Sequence, residues 1–460
     1  MTQPLTITEA SERIIARSVA PLNLVESCLE RISAVDDRIH SYIHVDADGA
    51  RAAATEAAGE LAAGHWRGPL HGIPFAVKDN YDAAGMPATA NSRVRLDNVP
   101  RHDSELVRRL KAAGAILIGK LSTWEYGTGN GGDYADLPFP TARNPWDTER
   151  FPGGSSTGAG ASVAAGTAMF AMGSDTTGSV RLPAAATGTV GIIPTPGRLS
   201  LEGILPNCWS LDNPGPFTWT IADCAIVLDA IAEKTHWDGP SALAFRRAVG
   251  KSAAGMRVAV VTDVGADMPE PDADLRSAFE AGLDVLRGLG VDLVETKLPV
   301  APATCFAATS IIGPAESAAI HEQELSERPD ELGFALRDKL LAGSMVRAVD
   351  YICAQRQRKL IADAIERFMS GFDALVTFGA LHVSPRLGIE PEMTAFTMDT
   401  LLPPFSLSAH PALIQCNGYT DAGLPLHWQI VANRGDEASI FRLASAYEVT
   451  TPWRQRRPDL

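Results

Sequence analysis

Phe151-Pro-Gly-Gly-Ser155-Ser-Thr-Gly158 runs on, through the small apolar stretch Ala159–Ala171, into Gly173-Ser-Asp-Thr-Thr-Gly-Ser179-Val-Arg181. Each end sets a serine beside glycine, where the absence of a Cβ lets backbone amides approach a bound group closely. The interval between Ser155 and Ser179 has room for one helix and one short strand. This arrangement predicts a nucleophile with an anion-binding cradle, carried on loops of an α/β framework.

The flanking sequence extends the same texture. From Gly72 onward, short apolar runs bounded by glycine and proline, such as Ile73–Val77 and Ala115–Ile118, alternate with helical spacing, as in Ser104–Ala113. Met256–Val261 and Val291–Val294 flank a further helical pattern at Asp274–Leu289, and Phe405–Tyr447 reads as strand, turn, strand, helix, with the turn at Asp421-Ala422-Gly423 before Leu424–Val431. Strands alternating with helices predict an α/β sheet covered on both faces. Upstream, Thr6 and Glu9 fit a capping box, Leu24–Ile32 has helical apolar spacing, and Asp46–Ala63 is alanine-rich with alternating charge, so residues 1–70 read as a helical apron. Residues 300–400 are more irregular. No internal repeat or low-complexity linker divides the chain, which favours one domain over residues 1–460.

Composition removes several function classes. At 460 residues and 45% hydrophobic content the chain can bury a large core. A net charge of −15 argues against a nucleic-acid partner, whose phosphates need clustered Lys and Arg. Cys28, Cys208, Cys224, Cys305, Cys353 and Cys416 are scattered, with neither a Cys-x-x-Cys pair nor histidines at ligand spacing, so no metal site and no disulfide framework is expected. The amino terminus, Met-Thr-Gln-Pro-Leu-Thr-Ile-Thr-Glu-Ala, lacks a basic start and an apolar core, and no run is long enough to span a membrane. A cytoplasmic protein without a membrane anchor is expected, and a homodimer is the default state of such an enzyme.

Several motifs fail on context. Gly114–Lys120 spells the start of a phosphate loop, but Leu121 stands where Ser or Thr is needed and Ala-Ile-Leu-Ile is a buried strand. Gly154-Ser-Ser-Thr-Gly158 fits Gly-x-Ser-x-Gly, yet a nucleophile elbow follows a hydrophobic strand, and Asn-Pro-Trp-Asp-Thr-Glu-Arg-Phe-Pro is a loop. His321-Glu322-Gln-Glu-Leu325 lacks the second histidine of a zinc protease helix.

Two lysines remain. Lys78 ends the apolar run Ile73–Val77, and Lys120 follows Ala115–Ile118 in the same local form. A lysine at the inner end of a buried strand loses solvation, which lowers its pKa and frees the amine as a base; a snorkelling ammonium is the competing fate, and periodicity does not separate the two lysines. Serine needs a base within hydrogen-bond reach, and a lysine would need a relay, which Ser155 could supply between Lys78 and Ser179. Ser155 and Ser156 could equally cap a helix starting near Thr157, and Asp175–Ser179 could be an ordinary turn.

Taken together, Gly72-Ile-Pro-Phe-Ala-Val-Lys78-Asp, Pro152-Gly-Gly-Ser155-Ser-Thr-Gly, Gly173-Ser-Asp-Thr-Thr-Gly-Ser179-Val-Arg-Leu-Pro183 and Gly188-Thr-Val-Gly-Ile-Ile-Pro-Thr-Pro-Gly197 resemble the amidase signature family. The match is strongest over residues 71–230; His410-Pro-Ala, Gly423-Leu-Pro and Tyr447-Glu look similar as well. The resemblance implies the amidase signature fold, a single large α/β domain whose central mixed, mostly parallel twisted sheet is covered by helices on both faces. It implies a Ser–cisSer–Lys triad with Ser179 as acyl nucleophile, Ser155 as relay on a cis peptide bond, and Lys78 as base, leaving Lys120 outside the motif. Backbone N–H groups of Thr176, Thr177, Gly178 and Ser179 would form the oxyanion hole, with Asp175 and Arg181 supporting the turn. Residues 300–400 would help shape the substrate pocket.

The chain departs from the family pattern at Thr157-Gly158-Ala159 and at Thr177, where glycine is common; Thr177 still donates its N–H. The implied activity is hydrolysis of a small-molecule amide, with esters or an aryl carbamate as related substrates and no cofactor. The alternative is the glutaminase subunit of a tRNA-dependent amidotransferase, and a third reading is a binding protein on an inactive scaffold. Trp124, Tyr126, Trp209 and Phe405 are candidates to line the pocket, against the competing role of core packing.

Overall fold

Side-chain alternation within the strands accounts for a sheet buried on both faces. In β2 (Pro74–Lys78), Phe75 and Val77 enter one apolar core with Met172 and Ile192, whereas Ala76 joins a second with Ile118, Ala171 and Val261. A strand flanked by two cores reads as a continuous apolar run, which is why these segments were legible. The structure, a computed structural model, describes residues 4–238, 243 and 245–460; Met1 to Gln3 of the amino-terminal stretch lie outside it.

The remaining strands are β1 (Tyr42–Val45), β3 (Ile116–Leu121), β4 (Phe170–Asp175), β5 (Val190–Ile193), β6 (Asn213–Thr218), β7 (Arg257–Val261), β8 (Asp292–Thr296), β9 (Ala374–Thr377), β10 (Ala412–Tyr419) and β11 (Pro425–Ala432). They form one sheet in the order β1-β3-β2-β4-β6-β5-β10-β11-β9-β7-β8. This is a single large α/β domain with a mixed sheet.

The expectation of a mostly parallel sheet needs correction. Parallel pairing is confined to β2 with β3 and β4, and to β7 with β8 and β9. The middle is antiparallel, from β4 through β6, β5, β10 and β11 to β9. The tight turn at Asp421–Gly423 makes β10 and β11 a hairpin, which only antiparallel strands can share. Apolar runs reveal strands but not their direction.

Two further readings change. The apron holds the helices Ile7–Ile15, Pro21–Ile39 and Ala47–Ala62, with the Thr6/Glu9 capping box in place, but also β1, which pairs with β3 at the sheet edge. Residues 300–400 are far from irregular: they contain the helices Pro302–Ile320, Phe334–Ser344 and Ala348–Met369. Pro302–Ile320 is apolar around most of its circumference and carries Pro314 inside it, so it shows no clean amphipathic stripe. Among the described residues no helix is long and apolar enough to cross a membrane, and no group of His, Cys, Asp and Glu gathers as a metal-holding cluster.

Candidate active site

β2 and β4 run side by side and parallel, with Val77 opposite Met172, so their carboxyl ends open at the same edge. Lys78, the last residue of β2, thereby meets Ser174 near the end of β4 and donates to its Oγ at 3.0 Å. The same ammonium donates to Ser155 Oγ at 2.8 Å. Ser155 follows Gly154 across a cis peptide bond. Gly154 is required by close approach: a Cβ there would stand 2.3 Å from Trp124 Cζ2.

Ser156 precedes the helix Thr157–Ala165 but does not cap it with its hydroxyl. Its Oγ instead donates to the Ser174 carbonyl at 3.1 Å, and its N–H donates to the Ser179 carbonyl at 3.2 Å. The two serine-bearing loops are thus fastened to β4 and to each other.

Both lysines are buried, and their partners distinguish them. Lys78 is 1% exposed, and desolvation pulls its ammonium down to about 7 against the opposing charges of Asp212 and Asp175. A group so placed divides between base and acid near neutrality. Lys120 is also buried, but its ammonium is held at 3.0 Å by Asp79 and donates to the carbonyls of Tyr81 and Pro87. It is an ion-paired structural residue away from the serines.

The turn after β4 is shaped by Asp175 and Arg181. Asp175 Oδ1 accepts from Gly178 N–H at 2.7 Å, and Oδ2 accepts from Val180 N–H at 3.0 Å. Arg181 grips both oxygens through Nη2 and Nε at 3.0 and 3.1 Å. Burial acts to raise this carboxyl, but the guanidinium and the backbone donors hold it below the ordinary carboxylate range. Arg181 also reaches Leu402 O, Gln429 Oε1 and Ser406 Oγ, locking the turn to the segment before β10 and to β11. One expected cradle donor is lost in this arrangement, because the Gly178 amide is committed to Asp175. Thr177 lies outside the left-handed region of backbone space, so its β-branched side chain is accommodated.

A cavity of about 540 Å³ opens over this turn, lined by Thr176–Ser179 on one side and by the helix Phe334–Ser344 on another. A polar chain crosses its wall: Thr176 Oγ1 donates to Asp212 Oδ1 at 2.6 Å, Asn207 Nδ2 donates to Thr176 Oγ1 at 3.1 Å, and Lys339 Nζ donates to Asn207 Oδ1 at 2.6 Å. Burial lowers the Lys339 ammonium to about 8.

The family model described as Amidase matches residues 23–441. The chain belongs to the amidase family. It is 35% identical to an amidase of Pseudomonas putida, over 99% of this chain and 98% of that protein. It is 34% identical to the A-type subunit of the glutamyl-tRNA(Gln) amidotransferase of Chloroflexus aurantiacus, over the same shares of the two chains. Among solved structures, the peptide amidase of Stenotrophomonas maltophilia superposes with a TM-score of 0.84 at 27% identity, covering 99% of this chain and 98% of that one.

Within this amidase framework the four aromatic candidates separate. Trp124 lines the cavity. Tyr126 is buried beside it, its hydroxyl donating to Glu324 Oε1 at 3.0 Å and its ring against His321. Phe405 is wholly buried in the core, and Trp209 is 59% exposed at the surface. Tyr126, Phe405 and Trp209 are therefore corrected to core, core and surface. Sequence reading missed Asn207, Asp212 and Lys339. Lys339 sits in Arg337-Asp338-Lys339, which reads as an ordinary charged helix face until the fold turns it toward the cavity.

Proposed function

We propose that the chain hydrolyses the C–N bond of a small-molecule amide through an acyl-enzyme on Ser179. Ser179 Oγ attacks the carbonyl while its proton passes to Ser155 and that of Ser155 to Lys78. The C–N bond breaks as the relay returns a proton to the leaving amine, and water repeats the sequence to release the acid. Backbone N–H groups of Thr176, Thr177 and Ser179 stabilise the oxyanion, each such donor contributing ~3 kcal/mol in related chemistry. Esters and aryl carbamates offer a similar carbonyl and enter the same scheme.

The observation that carries this reading is the buried Lys78 amine, 2.8 Å from Ser155 Oγ, where desolvation pulls its pKa down to about 7. Ser179→Ala is expected to remove turnover of every amide the wild-type chain accepts, by a factor of roughly 10³ or more. Retained turnover in that variant overturns the assignment.

Lys339 bears on the substrate. Among the described residues it is the one basic side chain lining the cavity, against the carboxylates Asp338 and Glu390, so an acidic group on the substrate would find its partner at Lys339 alone. Matched pairs of acidic and neutral amides, assayed together, test this: equal kcat/KM within every pair contradicts it.

The second reading, the glutaminase component of a tRNA-dependent amidotransferase, is favoured by the Chloroflexus aurantiacus relative at 34% identity. Glutamine hydrolysis that rises with glutamyl-tRNA and partner subunits would support it. Turnover of aryl amides by the chain alone supports the free hydrolase.

A further inference from the structure

The helix Phe334–Ser344 supplies one wall of the cavity, yet nothing within it caps its amino terminus: its N-cap is Gly333, which has no side chain to accept from the first amides. The amides of Gly333 and Phe334 are satisfied by carboxyls of another segment. Glu125 Oε2 accepts from Gly333 N–H at 2.8 Å, and Asp136 Oδ2 accepts from Phe334 N–H at 2.8 Å. Both carboxyls belong to the segment that lines the cavity through Trp124, Thr128 and Tyr134, and the rings of Tyr134 and Phe334 meet edge-on at 6.3 Å. The fit is close: a Cβ on Gly333 would stand 2.7 Å from Glu125 Oε2.

The segment that carries Glu125 also adjoins the relay: at Gly127, two residues on, a Cβ would stand 3.3 Å from Ser155 Oγ and 3.7 Å from Lys78 Nζ. We propose that Glu125, with Asp136 beside it, is a positioning residue for the substrate cavity, fastening the amino-terminal end of the Phe334–Ser344 helix to the segment that flanks the relay. The inference rests on the amide-hydrolase reading above and concerns how its cavity is held, not which atoms react.

An ionised Glu125 holds the helix better than a protonated one, because a carboxylate accepts more strongly and faces the positive end of the helix. Burial, reinforced by Asp136 and Glu324, raises this carboxyl to about 7, while Ser92 and the Gly333 amide work against the rise. The other titratable and charged groups about it are Tyr126, bonded to Glu324; His321, paired with Glu324 and packed on Tyr126; and Arg95, whose charge acts on Glu324. As pH falls through about 7 Glu125 takes up a proton, its hold on Gly333 weakens, and substrate binding loosens.

Glu125→Gln tests this, read by steady-state kinetics across pH and by hydrogen exchange of the full chain. KM is expected to rise roughly tenfold at high pH, by more than any fall in kcat, and to lose its dependence on pH. Amides of residues 333–344 should exchange faster, and Asp136→Asn should act in the same direction on both readouts. An unchanged KM with unchanged exchange over 333–344, or a loss confined to kcat, overturns the proposal. Should Glu125→Gln not fold, the protection of 333–344 amides in the wild-type chain, taken relative to the intrinsic exchange rate at each pH, decides: lower protection below neutrality supports the proposal, and pH-independent protection overturns it. Failure of the parent reading would look different, as turnover surviving Ser179→Ala.

Discussion

At the scale of single residues, the proposed chemistry depends on a proton missing from Lys78. The base form is neutral, and burial sets the folded pKa near 7, below the ordinary lysine value. Activity therefore rises as pH increases through about 7 and levels off above it, the ammonium being inactive below. A kcat limb centred near the ordinary lysine value would mean that burial does not set the pKa of the base, and a rising limb unchanged in Lys78→Met would mean that Lys78 is not the base. Gly127 gives a second residue-scale test. Its φ is +73°, and a Cβ there would crowd Ser155 Oγ at 3.3 Å. Gly127→Ala is expected to lower kcat by roughly tenfold to a hundredfold through displacement of the relay, and an unaltered kcat would show that the hydroxyl has slack. Ser155 and Ser179 stand out in the sequence because their glycine-flanked motifs are local. The choice between Lys78 and Lys120 was not legible from spacing; it needed the partners, Ser155 for one and Asp79 for the other.

At the scale of elements, the nucleophile turn is held by a contact between distant parts of the chain. Arg181 joins Asp175 at the end of β4 to Leu402 and Ser406 before β10 and to Gln429 in β11. Arg181→Met leaves the Asp175 carboxylate buried without its cation, at a cost of about 3–5 kcal/mol. Chemical denaturation should show that loss, and an equally stable, fully active variant would contradict the role. The pairing of Asp175 with Arg181 was readable as a possibility six positions apart; its anchors in residues 402–429 were not, because no local pattern signals a contact over such a separation. The same limit explains the helices of residues 300–400. A helix packed against other helices, as Pro302–Ile320 is, needs no polar face, and periodicity then carries no signal.

At the scale of the whole molecule, the sheet joins two parallel flanks through an antiparallel middle, and the flank holding β2 and β4 delivers Lys78 to the serines. The helices between β8 and β9 close the cavity over that edge, so a region with little local signature contributes Lys339 and Phe334 to the wall. Fold class was legible from the alternation of strands and helices; strand direction and the cavity were not, since both arise from contacts between remote segments. The two readings proposed above, the free hydrolase and the amidotransferase component, both rest on a proposed acyl-enzyme at Ser179. That common intermediate is tested most directly by the intact mass and peptide map of the full chain after a serine-directed phosphonate, with and without a competing amide. One adduct on Ser179, suppressed by the amide and absent from Ser179→Ala, is predicted; an adduct that persists in Ser179→Ala, or no adduct on Ser179 in a chain that still turns over amides, would contradict it.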